Sequence, residues 1–411
     1  MFIKGIWVHP WDIANIGVDE FLSDVKNLGF NSVSMAIRYV EEKQAYPGTS
    51  VIYRNPVRKT FVSEEATVYW DLDERRYTEL PEELRPRRSR DVGYDVVKEF
   101  SERSRAQGIR CVFWLPMLRW GSIVRANPDY GVKDVYESIA GYKRYFVCPN
   151  NPLIKKLIRL IVEDISVNYE FDELELDYIR FPHPLATIKD PYILFSQLPC
   201  FCKDCRREAE KKGIDLNRIA SKIKQLLEAT ISVHEKTSVY CTSNDIDCVE
   251  SRYWSFINDI LGDEMLAKWI EFRCESIAEI VTIVRDTLKS YRQNTLLSAD
   301  LVPPSRSWLV GQCYSVIGKL LDSAKIMLYT EPFSESPNRI PYEIMKARQM
   351  LPGHVKIIAG LAAWPPQTPE TLARDIRLAI KTSVDGVYLY SYGWAPRAIL
   401  REASCVLTGV C

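Results

Sequence analysis

Histidine is scarce, with four in 411 residues. His9, His183, His234 and His354 stand singly along the chain, which excludes the multi-histidine ligand set of a metal-dependent amidohydrolase barrel. Net charge is missing too. Lysine plus arginine equals aspartate plus glutamate at 54 each, so no field draws the chain to nucleic acid or to an anionic membrane, and neither is expected as a partner. No apolar run approaches the roughly 20 residues of a membrane helix. The opening Met1 to Pro10 lacks the basic segment, apolar stretch and small-residue cleavage site of a signal peptide, and a cytoplasmic location is expected. Gly-x-Gly-x-x-Gly and Gly-x-x-x-x-Gly-Lys-Ser/Thr do not occur, so no organic cofactor is expected. A neutral ligand fits this chain better than a charged one.

What is present is apolar content for a large core, 46% hydrophobic against 26% charged, distributed with a clear rhythm. Short β-rich runs alternate with helical patterns, as in βαβ units around a parallel sheet. Eight runs are read as strands: Ile3 to His9, Ser32 to Arg38, Arg110 to Pro116, Glu173 to Ile179, Thr295 to Leu301, Lys325 to Thr330, Val355 to Leu361 and Gly386 to Ser391. Helical patterns over Val18 to Asn27, Tyr94 to Gln107, Leu153 to Asn168 and Pro369 to Thr382 fall between them. A (β/α)8 TIM barrel forming one domain over residues 1–411 is expected. Two connections are long: residues 41–91 after strand two, and residues 200–294, mostly helical in pattern, after strand four. Barrel active sites are built from the loops at the C-terminal ends of the strands, so long loops there cover or shape a site. Gly360-Leu-Ala-Ala-Trp-Pro-Pro and Ser391-Tyr-Gly-Trp-Ala-Pro, after strands seven and eight, are not the glycine-rich loops of a phosphate-binding barrel.

In Phe171-Asp-Glu-Leu-Glu-Leu-Asp-Tyr-Ile-Arg-Phe-Pro182 side chains alternate, so Glu173, Glu175 and Asp177 share one face and Leu174 and Leu176 the other. Leucines suit the helix-packed outside of a barrel. The acids therefore point into the lumen, with Asp177 nearest the mouth. A buried carboxylate is costly unless paired or used, and two readings stand: a chemical centre, or a structural pairing with an arginine such as Arg38 or Arg180. Two more acids end strands and precede proline, Asp300 in strand five and Glu331 after strand six. Either could supply a second carboxyl for acid–base work at the mouth, with Glu331 slightly preferred. A helix cap or loop ion pair is the alternative for each.

The strand-four segment resembles the motif of chitinase-like barrels, and most closely that of the TIM-barrel glycosyl hydrolase family ending Leu-Asp-Tyr-Ile-Arg-(Phe/Tyr)-Pro. That resemblance implies a sugar-cleaving barrel with Asp177 at its centre. A true chitinase carries a catalytic glutamate where this chain has Ile179, so the chitinase mechanism is not implied. With Asp177 ionised and Glu331 or Asp300 protonated, Glu175 would tune Asp177 by like-charge proximity.

Cys200-Phe-Cys202-Lys-Asp-Cys205 places three thiols within six residues, a spacing suited to one tetrahedral zinc, with Cys148 of Tyr145-Phe-Val-Cys148-Pro-Asn-Asn-Pro152 as fourth ligand. Both segments resemble the zinc loop of thermophilic β-galactosidases, although that family's catalytic Asn-Glu pair is missing after strand four. A closed four-thiolate site leaves no open position, so such zinc would be structural; an empty reduced cluster or a disulfide are the alternatives. Cys111, Cys241, Cys248, Cys274, Cys313, Cys405 and Cys411 lack ligand spacing and are expected to be packed or free.

Sugars present flat C–H faces that aromatic rings complement. Trp7, His9, Arg38, Trp114, Trp120, Tyr178, Arg180, Trp364, Tyr390 and Trp394 lie at or just past strand ends and are the candidate rim of a carbohydrate site. For any single one, core packing is the competing role.

Overall fold

Each apolar run becomes a strand: β1 (Ile3–Val8), β2 (Ser32–Ala36), β3 (Arg110–Pro116), β4 (Glu173–Asp177), β5 (Leu296–Leu301), β6 (Ser323–Met327), β7 (Lys356–Ala362) and β8 (Gly386–Tyr390). All neighbours are parallel, and the order β1-β8-β7-β6-β5-β4-β3-β2 closes on itself. The chain is a (β/α)8 TIM barrel. The computed structural model describes residues 1–39, 67–90, 92–141, 145–183, 190–237 and 246–409.

Among the described residues, helices α1 (Val18–Asn27), α2 (Val96–Ala106), α3 (Pro152–Asn168), α4 (Glu264–Tyr291), α5 (Arg339–Met350), α6 (Pro369–Ile380) and α7 (Arg397–Thr408) pack around the strands. α1 shows why they pack on the barrel. Val18, Phe21, Leu22 and Val25 recur at helical spacing and are all buried, a stripe that has to meet the sheet. Short helical turns, Pro304–Ser307 and Tyr314–Ile317, carry the chain from β5 to β6.

Of the long connection after β2, residues 40–66 and 91 lie outside those described, as do Cys241 and Cys411. Thr67–Val68 returns as a strand pairing Arg38–Tyr39 beside the barrel mouth. Among the described residues between β4 and β5, helices Pro191–Ser196, Lys203–Glu210, Leu216–Thr237 and Ile246–Leu261 lead into α4.

Five strands end earlier than their residue patterns suggest, β2 at Ala36 and β8 at Tyr390 among them, and for the other three the neighbouring residues show why. Pro10 starts the helix Pro10–Ile16 directly after β1, since proline fits a first helical turn and not a strand interior. β4 stops at Asp177 because Tyr178 takes φ +50, a left-handed backbone that breaks the ladder. β6 stops at Met327, and the Thr330 hydroxyl beyond it donates to Asp375 of α6 at 2.5 Å.

The lumen is filled rather than open. Tyr388 projects across it toward β1, where Gly5 leaves room; a Cβ at that position would stand 2.1 Å from the Tyr388 ring. The Tyr388 hydroxyl meets Ser32 on the next strand.

Candidate active site

Above that floor the three acids of β4 point inward, each into different surroundings. Glu173, the deepest, accepts from Arg110 at 2.6 Å and from Ser298, with the Lys325 ammonium 3.1 Å away. Burial works against its charge, but Lys325 and Arg110 outweigh that and bring the carboxyl down to about 2. Glu175 accepts from Ser34 at 2.6 Å, from the Trp7 indole and from Lys325. The partner of Glu175 is therefore a lysine from two strands away, neither of the arginines that the sequence offered.

Asp177 sits one layer higher, 5% exposed. One carboxylate oxygen accepts from the Tyr178 amide at 2.6 Å and from Arg180 at 3.3 Å, and the other from the Trp114 indole at 3.3 Å. The left-handed turn at Tyr178 is what brings Arg180 back over its own strand. Burial raises the Asp177 carboxyl and the charge of Glu175 adds to the rise, while Arg180, the Tyr178 amide and Trp114 oppose it.

Asp300 lies beside it. Leu176 of β4 pairs with Ala299 of β5, so the next residues on these parallel strands, Asp177 and Asp300, are lateral neighbours. Asp300 is also buried, and its Oδ1 has no hydrogen-bond partner. Burial first, then the charges of Glu175 and Asp177, push its carboxyl well above the usual carboxylate range. Two adjacent acids thus have unequal surroundings: Asp177 accepts from the Tyr178 amide, the Trp114 indole and Arg180, whereas Asp300 faces two carboxylates with the charge of Lys325 alone to offset them. Glu331 is placed otherwise. It opens a short helical turn, is partly exposed, and pairs with Arg374 of α6 at 2.9 Å.

The aromatic residues form a continuous wall around these acids. His9 stacks between Trp11 and Trp394, with centroids 4.6 and 5.5 Å away. Trp114 meets Tyr39 and Tyr390 edge to face. Trp364, Trp394 and Ala362 pack with Tyr329 and Tyr390 as a small apolar group separate from the main core, which puts it at the rim. Tyr390 is the hub of the wall, its hydroxyl 2.9 Å from that of Tyr39. Tyr178 and Tyr390 are only partly buried. Arg180 lies over the Tyr178 ring at 4.4 Å, and the Arg119 guanidinium donates to its hydroxyl at 3.0 Å. Trp7 is buried deeper, against Glu175. Arg38 is fully enclosed: it donates to the carbonyls of Pro116 and Arg119 and stacks 3.6 Å over Trp120. Burial, together with Arg119, lowers its guanidinium to about 9.

Reasoning from sequence passed over Lys325, Tyr329, Ser34 and Ser298. Lys325 did leave a signal, a single cation inside the apolar run of β6.

The four cysteines converge behind this site. The ligand atoms of Cys148, Cys200, Cys202 and Cys205, all buried, lie within 4.8 Å of one another. A tetrahedral zinc with Zn–S of about 2.3 Å needs sulfurs roughly 3.8 Å apart, and Cys148 stands 3.5 Å from Cys205 and 3.4 Å from Cys202. The sulfurs also receive donors suited to thiolates: the Lys133 amide to Cys200 at 3.4 Å and the Asn150 amide group to Cys205 at 3.3 Å. The donor set therefore fits zinc. Asn151, next in the motif, caps α3 through the amides of Leu153 and Ile154, which explains the Asn-Asn-Pro run. Two expectations are corrected. Cys274 and Cys313 are disulfide-bonded to each other across 39 residues, and Cys405 is also disulfide-bonded; spacing alone did not reveal partners that the fold brings together. Cys111 is free and buried.

No family model matches the chain, and no curated protein matches it in sequence. Its fold does match solved structures, and those neighbours are glycoside hydrolases with barrel folds. The glycoside hydrolase domain of PgaB (BpsB) from Bordetella bronchiseptica superposes with TM-score 0.60 at 12% identity, over 95% of this chain and 94% of that one. The catalytic domain of β-amylase from Paenibacillus polymyxa gives 0.57 at 8% identity, over 100% and 99%. β-Galactosidase from the psychrophilic Marinomonas ef1 gives 0.55 at 11%, over 99% of this chain and 59% of the enzyme. At such identities the likeness is one of fold. Among the described residues no helix is long and apolar enough to cross a membrane.

Proposed function

We propose that the chain is a glycoside hydrolase acting on an oligo- or polysaccharide through Asp177 and Asp300. The observation that carries this reading is the pair itself: two buried carboxyls side by side at the barrel mouth, one ringed by donors and the other with one oxygen unbonded and two carboxylates facing it. Acid–base pairs are recognised by environments that push their pKa values apart. Asp300, kept protonated, donates to the leaving glycosidic oxygen. Asp177, ionised, acts as nucleophile or base, and Glu175 beneath them holds the negative charge that keeps the Asp300 proton in place. Asp300 takes the acid role in preference to Glu331, whose carboxylate is engaged by Arg374. Tyr390, with Trp364 and Trp394 beside it, offers ring faces and edges to the sugar, while His9, fully buried between Trp11 and Trp394, backs that group. Zinc held by Cys148, Cys200, Cys202 and Cys205 would supply structural stability and no chemistry, because four thiolates leave no open position.

The Asp177–Arg180 ion pair and the enclosure of Asp177 favour a second reading, a barrel that binds glycans without cleaving them. A panel of oligosaccharides and aryl glycosides, with product analysis and thermal melts, separates the two. Released sugar supports hydrolysis, and products lengthened on an acceptor indicate a transglycosylase using the same carboxyls. No turnover, with a glycan raising the melting temperature, establishes the binding protein instead.

A further inference from the structure

Arg273 of α4 is fully buried and no part of the acid pair, yet it touches the segments that follow both acid-bearing strands. Its guanidinium donates to the carbonyl of Pro199, which precedes Cys200 of the thiolate loop, and to those of Trp308 at 3.2 Å and Leu309 at 2.7 Å in the loop after β5. The rings of Phe181 and Trp269 flank it at 5.0 and 5.3 Å.

The loop pinned at Trp308 and Leu309 is in turn bonded to both acid-bearing strand exits. The Val310 carbonyl accepts from the Phe181 amide at 3.0 Å, just beyond Asp177 and Arg180. Gln312, fully enclosed, donates to the Asp300 carbonyl at 3.1 Å and accepts from the Val302 amide at 2.9 Å. Gly311 makes the close approach possible: at φ +74 a Cβ there would stand 3.0 Å from the Arg273 carbonyl and 3.1 Å from the Phe181 ring. Cys313, next in the loop, is tied to Cys274, next to Arg273.

We infer that Arg273 is a positioning residue, coupling the four-cysteine loop to the relative placement of Asp177 and Asp300 through the segment Trp308 to Cys313. A planar fork reaching three carbonyls cannot be replaced by a lysine ammonium, and the two buried ones, of Pro199 and Leu309, are costly to leave without donors. When zinc fixes the thiolate loop, the Pro199 carbonyl is held and Arg273 clamps the segment. Without zinc the Pro199 anchor loosens and the segment loosens with it. The consequence for catalysis rests on Asp177 and Asp300 being the reacting pair; the coupling itself does not.

The test compares zinc-loaded protein with the same sample stripped by a chelator, without reductant, for wild type, Arg273→Lys and Gln312→Ala. It reads two signals that need no substrate: hydrogen exchange at the Phe181 amide and the carboxyl carbon resonance of Asp300. In wild type, stripping is expected to speed Phe181 exchange on the order of 10-fold and to shift the Asp300 resonance. In Arg273→Lys the zinc-loaded protein already shows the faster exchange, and stripping adds nothing. In Gln312→Ala stripping still releases Phe181 but no longer moves Asp300, so one variant decides the matter if the other fails to fold. Wild-type signals indifferent to zinc, failure to bind zinc at all, or equal responses in wild type and Arg273→Lys overturn the coupling. A chain that shows the coupling but cleaves no sugar refutes the proposed activity and leaves Arg273 in its place.

Discussion

The Lys325 ammonium stands 3.1 Å from a Glu173 carboxylate oxygen and also bonds Glu175, so one cation from β6 neutralises two consecutive inward acids of β4. Lys325→Met is expected to cost about 3–5 kcal/mol, the penalty for leaving the buried Glu175 carboxylate without its cation, while Glu173 keeps Arg110. Adding Glu175→Gln to that variant should recover part of the loss, because the stranded charge is removed. Urea unfolding of the wild type, the single variant and the double variant measures both effects.

Asp300 contributes a distinct part of the pH dependence of stability. Its folded carboxyl is held well above its ordinary value by burial and by Glu175 and Asp177. The unfolded chain therefore releases this proton at lower pH than the folded one does. Over the interval between the two values the folded state binds more protons, and stability falls as pH rises. Asp300→Asn cannot ionise, so its melting temperature relative to wild type should climb as pH is raised above about 4. Glu173 acts in the opposite direction: brought from 4.5 down to about 2, it contributes stability that is lost as pH falls through that range, in wild type and variant alike. Parallel melting curves above about pH 4 would remove the case for a protonated Asp300.

One zinc per chain is expected in the purified protein. Stripping it, or substituting Cys205→Ser, should lower the melting temperature by on the order of 10 °C, since metal binding energy at a closed thiolate site is folding energy. Metal analysis beside calorimetry checks both.

The sequence pattern was sufficient where physics is local. Alternation along Glu173–Asp177 turns three acids inward with Leu174 and Leu176 outward, and periodicity along Val18–Asn27 marks a helix whose buried stripe the structure reproduces. The convergence of Cys148 on Cys200, Cys202 and Cys205 was also legible, because three ligands within six residues demand a fourth. Partnerships set by barrel closure were not. Lys325 lies 150 residues from Glu175 in sequence, Cys313 lies 39 residues from Cys274, and Gln312 reaches the Asp300 carbonyl only because the loop after β5 folds back over its own strand. The slight preference for Glu331 failed to weigh Arg374, which no spacing rule connects to it.

Turnover of wild type, Asp177→Asn, Asp300→Asn and Glu331→Gln on whichever glycoside the wild type cleaves is the most direct test of the Asp177–Asp300 pair. Each aspartate variant is expected to fold and to lose activity on the order of 1,000-fold, with Glu331→Gln close to wild type. Folded Asp177→Asn or Asp300→Asn protein that retains wild-type turnover, or a loss confined to Glu331→Gln, would contradict it.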